Sequence, residues 1–197
     1  MPSYDPNNIF AKILRGELPS YKVYEDDKAF AFLDIMPRAP GHALVLPKAP
    51  ARNVFDVSPD DFAHVMGVAQ KVAKAAMKAF EADGVTMQQF NEGAGGQVVF
   101  HLHVHVIPRK TGVAMKPPAA EKEKPEVLAG NAKKLAATIA VWAAAALALG
   151  LRAIGRLLAR RFAWTCLALF AAALLSLIPV DDSRHPETVQ ASERGAP

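Results

Sequence analysis

Along the first half of the chain, apolar residues recur at two spacings, and the switches between them mark out the elements. Ile9, Phe10, Ile13 and Leu14 share one helical face. Asn8 stands where a cap belongs and Gly16 and Pro19 end the run, so a short helix is predicted over Ile9 to Arg15. Tyr21 to Glu25 and Lys28 to Asp34 read as strands joined at Asp26-Asp27, a hairpin. His42 to Pro47 is a third strand behind the rigid connection Pro37-Arg38-Ala39-Pro40-Gly41. Ser58-Pro59-Asp60-Asp61 combines a capping hydroxyl, an N-terminal proline and acids near the positive end of a helix dipole. Phe62, Val65, Met66, Ala69, Val72, Ala73, Ala76 and Phe80 then repeat at threes and fours as a buried stripe, with Gly84 as its stop. Met66 and Met77 read as packing residues, and His64, off the stripe, as solvated. Val85 to Asn91 is a fourth strand. This order gives an α+β fold with an antiparallel sheet.

The fifth strand carries the chemistry. In Gln97-Val98-Val99-Phe100-His101-Leu102-His103-Val104-His105-Val106-Ile107-Pro108, histidines occupy every second position and apolar residues fill the places between. Alternation is the period of a strand with one buried face, which puts all three imidazoles on one side, roughly 6.5–7 Å apart. Three readings follow from the row alone: a metal site, since imidazole is a common zinc ligand; covalent catalysis, with one ring nitrogen as nucleophile and its neighbours positioning it; or a polar face without chemistry. The preceding loop, Asn91-Glu92-Gly93-Ala94-Gly95-Gly96-Gln97, lets backbone N–H groups approach an anion, because no Cβ intervenes. No cysteine lies nearby and acids are sparse, which favours phosphate chemistry over zinc.

At this point the motif becomes specific. His101-Leu102-His103-Val104-His105-Val106-Ile107 resembles the His-x-His-x-His-apolar-apolar signature of the histidine-triad (HIT) family of nucleotide hydrolases and transferases. The run from Phe32 to Lys48 is similar to that family's second motif. The resemblance covers about residues 5–134. It implies a HIT-type five-stranded antiparallel sheet with one long and one short helix, paired with a second subunit as a homodimer.

It also implies roles. His103 would be the nucleophile that forms a nucleotidyl-histidine. His105 and His42 would hydrogen-bond phosphate oxygens or the leaving group, and His101 would orient the ring of His103. Asp34 would accept the ribose hydroxyls; Phe10, Ile13, Leu18, Phe32 and Ile35 would wall the purine slot; Asn91 and Gln97 would hold ribose or phosphate. No cofactor and no metal is required, since histidines alone can hold two anionic oxygens. The implied activity is cleavage at the α-phosphate of a purine nucleoside phosphoramidate or (di)nucleoside polyphosphate, and the alternative is a non-catalytic nucleotide-binding or scaffold protein on the same fold. One position departs from the pattern: after Gln97 the phosphoramidase branch of the family carries Ser or Thr, whereas this chain has Val98.

Composition divides the chain. The 197 residues suit one domain with an appendage. The net charge is +4, spread evenly enough to argue against nucleic-acid binding. The single cysteine, Cys166, fits a reducing compartment, and the polar start has no signal-peptide core, so the first part is expected in the cytoplasm. Residues 1–134 use 13 Lys and 4 Arg; residues 135–197 use no Lys, 6 Arg, 17 Ala and 11 Leu. The extension is expected to be α-helical. Phe162 to Val180 is 19 residues without a charge, long enough for one membrane span, with Arg152, Arg156, Arg160 and Arg161 on the inner side. A tether to the inner face of a membrane, with membrane contact through the extension, is one reading. An accidental or buried appendage is the other, because GC-rich DNA read out of frame yields this composition.

Overall fold

The computed structural model describes residues 2–142 together with 144, 145, 152, 165, 167 and 169. Two compact units divide the chain, Met1–Ala146 and Leu147–Pro197. The first holds α1 (Ile9–Leu14), β1 (Lys22–Glu25), β2 (Ala29–Leu33), β3 (Ala43–Pro47), α2 (Pro59–Ala79), β4 (Gly84–Gln88), a short 3₁₀ turn (Gly93–Gly95) and β5 (Val104–Arg109). A last helix, α3, runs over residues 125–142. The strands form one antiparallel sheet in the order β1-β2-β3-β5-β4, the five-stranded α+β arrangement expected.

The helix starts are written in local chemistry. Asn8 accepts hydrogen bonds from the Phe10 and Ala11 amides, and Ser58 from the Asp61 amide, each supplying an acceptor to otherwise orphaned N–H groups. The sheet is covered on both faces. Ala29, Ala31, Leu33, Ala43, Val45, Val104 and Val106 alternate onto the face packed by α2 and α3. Phe30, Phe32, Leu44 and Leu46 alternate onto the opposite face, where Phe10 of α1 closes over them. His105 pairs with Leu44 across the β3–β5 ladder, which places it on this second face. The long helix therefore supports the site from behind the sheet.

Several expectations shift. The buried stripe of α2 is Val65, Val68, Ala69, Val72, Ala75, Ala76 and Ala79, and Met66 and Met77 are exposed rather than packed. Small residues on that face let the helix lie close to the sheet, and hydropathy alone puts the stripe one position off. The helix ends with Phe80 as its cap and Glu81 in the left-handed region, so Gly84 opens β4 instead of stopping the helix. His64 is not free in solvent: its Nε2 lies 2.9 Å from Asp26 Oδ2. The composition change after Lys134 falls inside α3, whose Leu128, Ala132, Leu135 and Ile139 are core residues.

No helix among the described residues is long and apolar enough to cross a membrane. The expected span at 162–180 lies outside them, apart from Thr165, Leu167 and Leu169, which are helical.

Candidate functional site

β5 begins only at Val104, so His105 sits in the ladder and His101 and His103 precede it. The reason is the partner strand: the β3 ladder ends where Val45 faces Val104. Leu102 instead donates its amide to the carbonyl of Ala51 at 2.8 Å. The chain bends at 99–101 ahead of β5, and the imidazoles do not form an even row. His103 and His105 have ring centroids 4.9 Å apart at 63°, closer than a regular strand allows.

Their hydrogen bonds fix the tautomers, since a carbonyl can only accept and a main-chain N–H can only donate. His103 Nδ1–H donates to the main-chain oxygen of His101 at 2.7 Å. That leaves Nε2 of His103 unprotonated. Every buried side-chain nitrogen and oxygen among the described residues has a partner, so this unpaired nitrogen opens onto the cavity that His103 lines. The Arg38 amide donates to His42 Nδ1 at 3.2 Å, so His42 carries its proton on Nε2 and donates it to His105 Nδ1 at 3.0 Å. His105 is left with Nε2–H as a donor. His101 donates from Nε2 to the carbonyl of Pro47 at 2.9 Å and accepts the Tyr4 hydroxyl at Nδ1 at 2.7 Å. The ring of His103 is thus held by the backbone of His101, not by its imidazole.

All four rings are neutral at physiological pH. Burial pushes His42 and His101 down to about 4 and His105 down to about 3, and it lowers His103 as well. Burial raises the Asp34 carboxyl, partly offset by the hydrogen bond it accepts from the Met36 amide. The 3.5 Å approach of Asp34 Oδ2 to His42 Nδ1 is accordingly not an ion pair at neutral pH.

A cavity of about 570 Å³ runs from α1 to this cluster. Phe10, Ile13, Leu18, Phe32 and Ile35 all line it, as do Asp34, His42, His103 and His105. Phe10 stands edge-on to His103 and Phe90 edge-on to His105, at 4.9 and 5.6 Å. His101 does not line the cavity, nor do Asn91 and Gln97. Asn91 accepts the Val54 amide and exchanges bonds with Gln89. Gln97 is buried, accepts the Glu92 amide and donates to the carbonyls of Arg52 and Val99. Gln97 ties the glycine loop to the segment at Arg52, and Asn91 ties the start of the loop to Val54 and Gln89. The loop is further pinned by Arg52, which forks onto both oxygens of Glu92 and covers Phe100 at 3.9 Å.

Sequence reasoning did not find Tyr4, Arg38, Phe90, Val99, Pro118 and Ala119, all of which touch the cluster or wall the cavity. Arg38 carried a signal, as a cation four residues before His42. The others had none beyond being apolar or aromatic. Asp34, His42 and His105 place ligand atoms within 4.8 Å of one another, the geometry a metal ion would use. Both ring nitrogens of His42 are already engaged, so an ion there must displace either the Arg38 amide or His105 from His42.

The HIT domain model matches residues 15–112. Among solved structures, a Hit-like protein from Bartonella henselae is 51% identical and superposes with a TM-score of 0.67, covering 70% of this chain and 99% of that one. The adenosine 5'-monophosphoramidase of Saccharomyces cerevisiae is 39% identical over 118 residues, 58% of this chain and 72% of its own. An adenylylsulfatase of Arabidopsis thaliana is 38% identical over 102 residues, 52% of each chain.

Proposed function

The chain belongs to the HIT domain family, and from that premise we propose that it is a hydrolase acting at the α-phosphate of a purine nucleotide through a nucleotidyl-histidine. One observation carries this reading. The bond from His103 Nδ1 to the backbone of His101 leaves a neutral Nε2 facing the cavity, which is what a nucleophile needs.

The base would lie among Phe10, Ile13, Leu18, Phe32 and Ile35, with Asp34 on the ribose. Nε2 of His103 attacks phosphorus as the bond to the leaving group breaks, and Nε2–H of His105 donates to a phosphate oxygen or the departing atom. Donors aimed at such growing charge are typically worth about 3–4 kcal/mol. Water then attacks the same phosphorus, its proton passes to the His105–His42 pair to replace the one given to the leaving group, the bond to His103 breaks, and the ring recovers its electron pair. Neither step calls on a cofactor.

Arg38 is the single Lys or Arg lining the cavity among the described residues, and its guanidinium already bonds Gln88 and the carbonyl of Lys116. That supports a substrate with one phosphate, such as a phosphoramidate or mixed anhydride, over a dinucleoside polyphosphate, whose extra charges would lack partners. The same proposal includes a homodimer and a cytoplasmic location for the catalytic unit; light scattering on the full chain checks the first.

The test is to quench turnover of a radiolabelled adenosine phosphoramidate and map the label. A nucleotidyl adduct on His103 is expected. Tight nucleotide binding with no adduct and no turnover would establish the non-catalytic alternative instead.

A further inference from the structure

We propose that Tyr4 is a positioning residue for the nucleophile, acting through His101, and that the segment before α1 is part of the catalytic apparatus. Tyr4 lies outside the residues matched by the family model. Its hydroxyl donates to Nδ1 of His101 at 2.7 Å, and the two rings meet edge-on with centroids 5.6 Å apart.

The consequence follows from what else His101 does. Its side chain is fully buried, and its other nitrogen donates to the carbonyl of Pro47. The ring is therefore gripped at both nitrogens, and only the Nε2–H tautomer satisfies both grips. The main-chain oxygen of the same residue holds Nδ1–H of His103. No strand pairs with this stretch of chain, because the β3 ladder stops at Val104. The orientation of that carbonyl is thus set by the side chain of His101 and by the Leu102 amide bond, rather than by a sheet. Without the hydroxyl, the buried Nδ1 of His101 loses its donor and the ring is held at one nitrogen only. A ring free to turn about that bond moves the carbonyl that aims His103.

The segment is built to hold this contact. Asp5 accepts the Asn7 amide on its side chain and the Asn8 amide on its carbonyl, and Asn8 in turn caps α1. One short stretch thus presses Tyr4 on His101 and, through α1, Phe10 on His103. Burial lifts the Tyr4 phenol above its ordinary value, so it stays a donor through the neutral range.

Tyr4→Phe in the full chain tests this, because it keeps the ring packing and removes only the donor. With adenosine 5'-phosphoramidate, kcat is expected to fall about tenfold while KM stays within about twofold, since the cavity walls are untouched. Nitrogen-15 spectra of labelled histidine supply a readout independent of turnover. Wild type should show His101 as Nε2–H and His103 as Nδ1–H, and Tyr4→Phe should shift the Nδ1–H resonance of His103. A kcat within twofold of wild type, or an unmoved His103 resonance, overturns the proposal. The kinetic arm rests on the hydrolase reading: if wild type turns over nothing, that reading falls, and the His103 resonance alone decides the role of Tyr4.

Discussion

Nε2 of His42 and Nδ1 of His105 lie 3.0 Å apart, with the two rings tilted by 30°. Since the Arg38 amide occupies Nδ1 of His42, the proton in this bond comes from His42, and the donor that His105 presents to the cavity is fixed by it. His42 is fully enclosed and acts at one remove. His42→Ala should free the His105 tautomer and cost about a hundredfold in kcat, with a much smaller change in KM. Steady-state kinetics on an adenosine phosphoramidate decide it; a kcat within threefold of wild type would show the relay to be idle.

The depressed histidine pKa values predict how stability depends on pH. In the unfolded chain these histidines take up protons near 6.5; in the folded protein His42 and His101 do so near 4 and His105 near 3. A group with a lowered folded pKa gives its full stability above the unfolded value and loses it as the pH falls toward the folded one. Stability should therefore be level above about pH 7 and decline toward 4, by up to about 1.4 kcal/mol per unit for each histidine involved. Asp26, held down to about 2 despite its burial by the Ala29 and Lys28 amides, Tyr24 and His64, adds nothing in that window, because its loss begins only near 4. The urea midpoint at pH 7.5, 6 and 5 checks the sign; a constant midpoint over that range contradicts it.

Gln97 is a strut, and its removal should be felt as instability. Its carbonyl oxygen accepts the Glu92 amide at 2.8 Å, and its amide nitrogen serves two carbonyls, Arg52 at 2.7 Å and Val99 at 3.1 Å. Gln97→Leu keeps the bulk but strands three backbone groups, one of them in a fully buried bond. We expect a loss of about 2–4 kcal/mol in urea unfolding, at the upper end of single-bond effects because several partners are orphaned together. A variant that unfolds with the wild-type midpoint would mean the loop finds its bonds elsewhere.

The caps at Asn8 and Ser58, the hairpin turn at Asp26 and the apolar strands were legible because each depends on chemistry within a few residues. The phase of α2 was not, because Met66 and Val68 are equally apolar and only the distance to the sheet selects the smaller one. Alternation at 101–105 predicted a continuous strand, whereas β5 starts only at Val104, and the pattern could not show that no strand lies beside His101 and His103. For the cavity, His42, His103, His105, Asp34 and the five apolar residues came from motif resemblance and do line it. Asn91 and Gln97 do not line it and bond groups of the protein itself, and a polar residue beside a glycine loop can serve a ligand or the loop's own backbone, which the sequence does not distinguish. Tyr4 was invisible because its partner is 97 positions away.

Val98 is where specificity can be changed without disturbing the fold. Its side chain lines the cavity yet is 85% exposed, so it contributes almost nothing to packing. Replacing it by serine should leave the urea midpoint within about 0.5 kcal/mol of wild type. The new hydroxyl would stand at the position where the phosphoramidase branch carries one, able to donate to a departing amine that Val98 cannot assist. We expect Val98→Ser to raise kcat/KM on adenosine phosphoramidate by about tenfold or more, with little effect on a substrate whose leaving group needs no proton. Measuring both substrates on both proteins separates the cases. A uniform change across the pair would mean that residue 98 shapes access to the cavity, and no change at all would mean that departure of the amine is served by His105 alone.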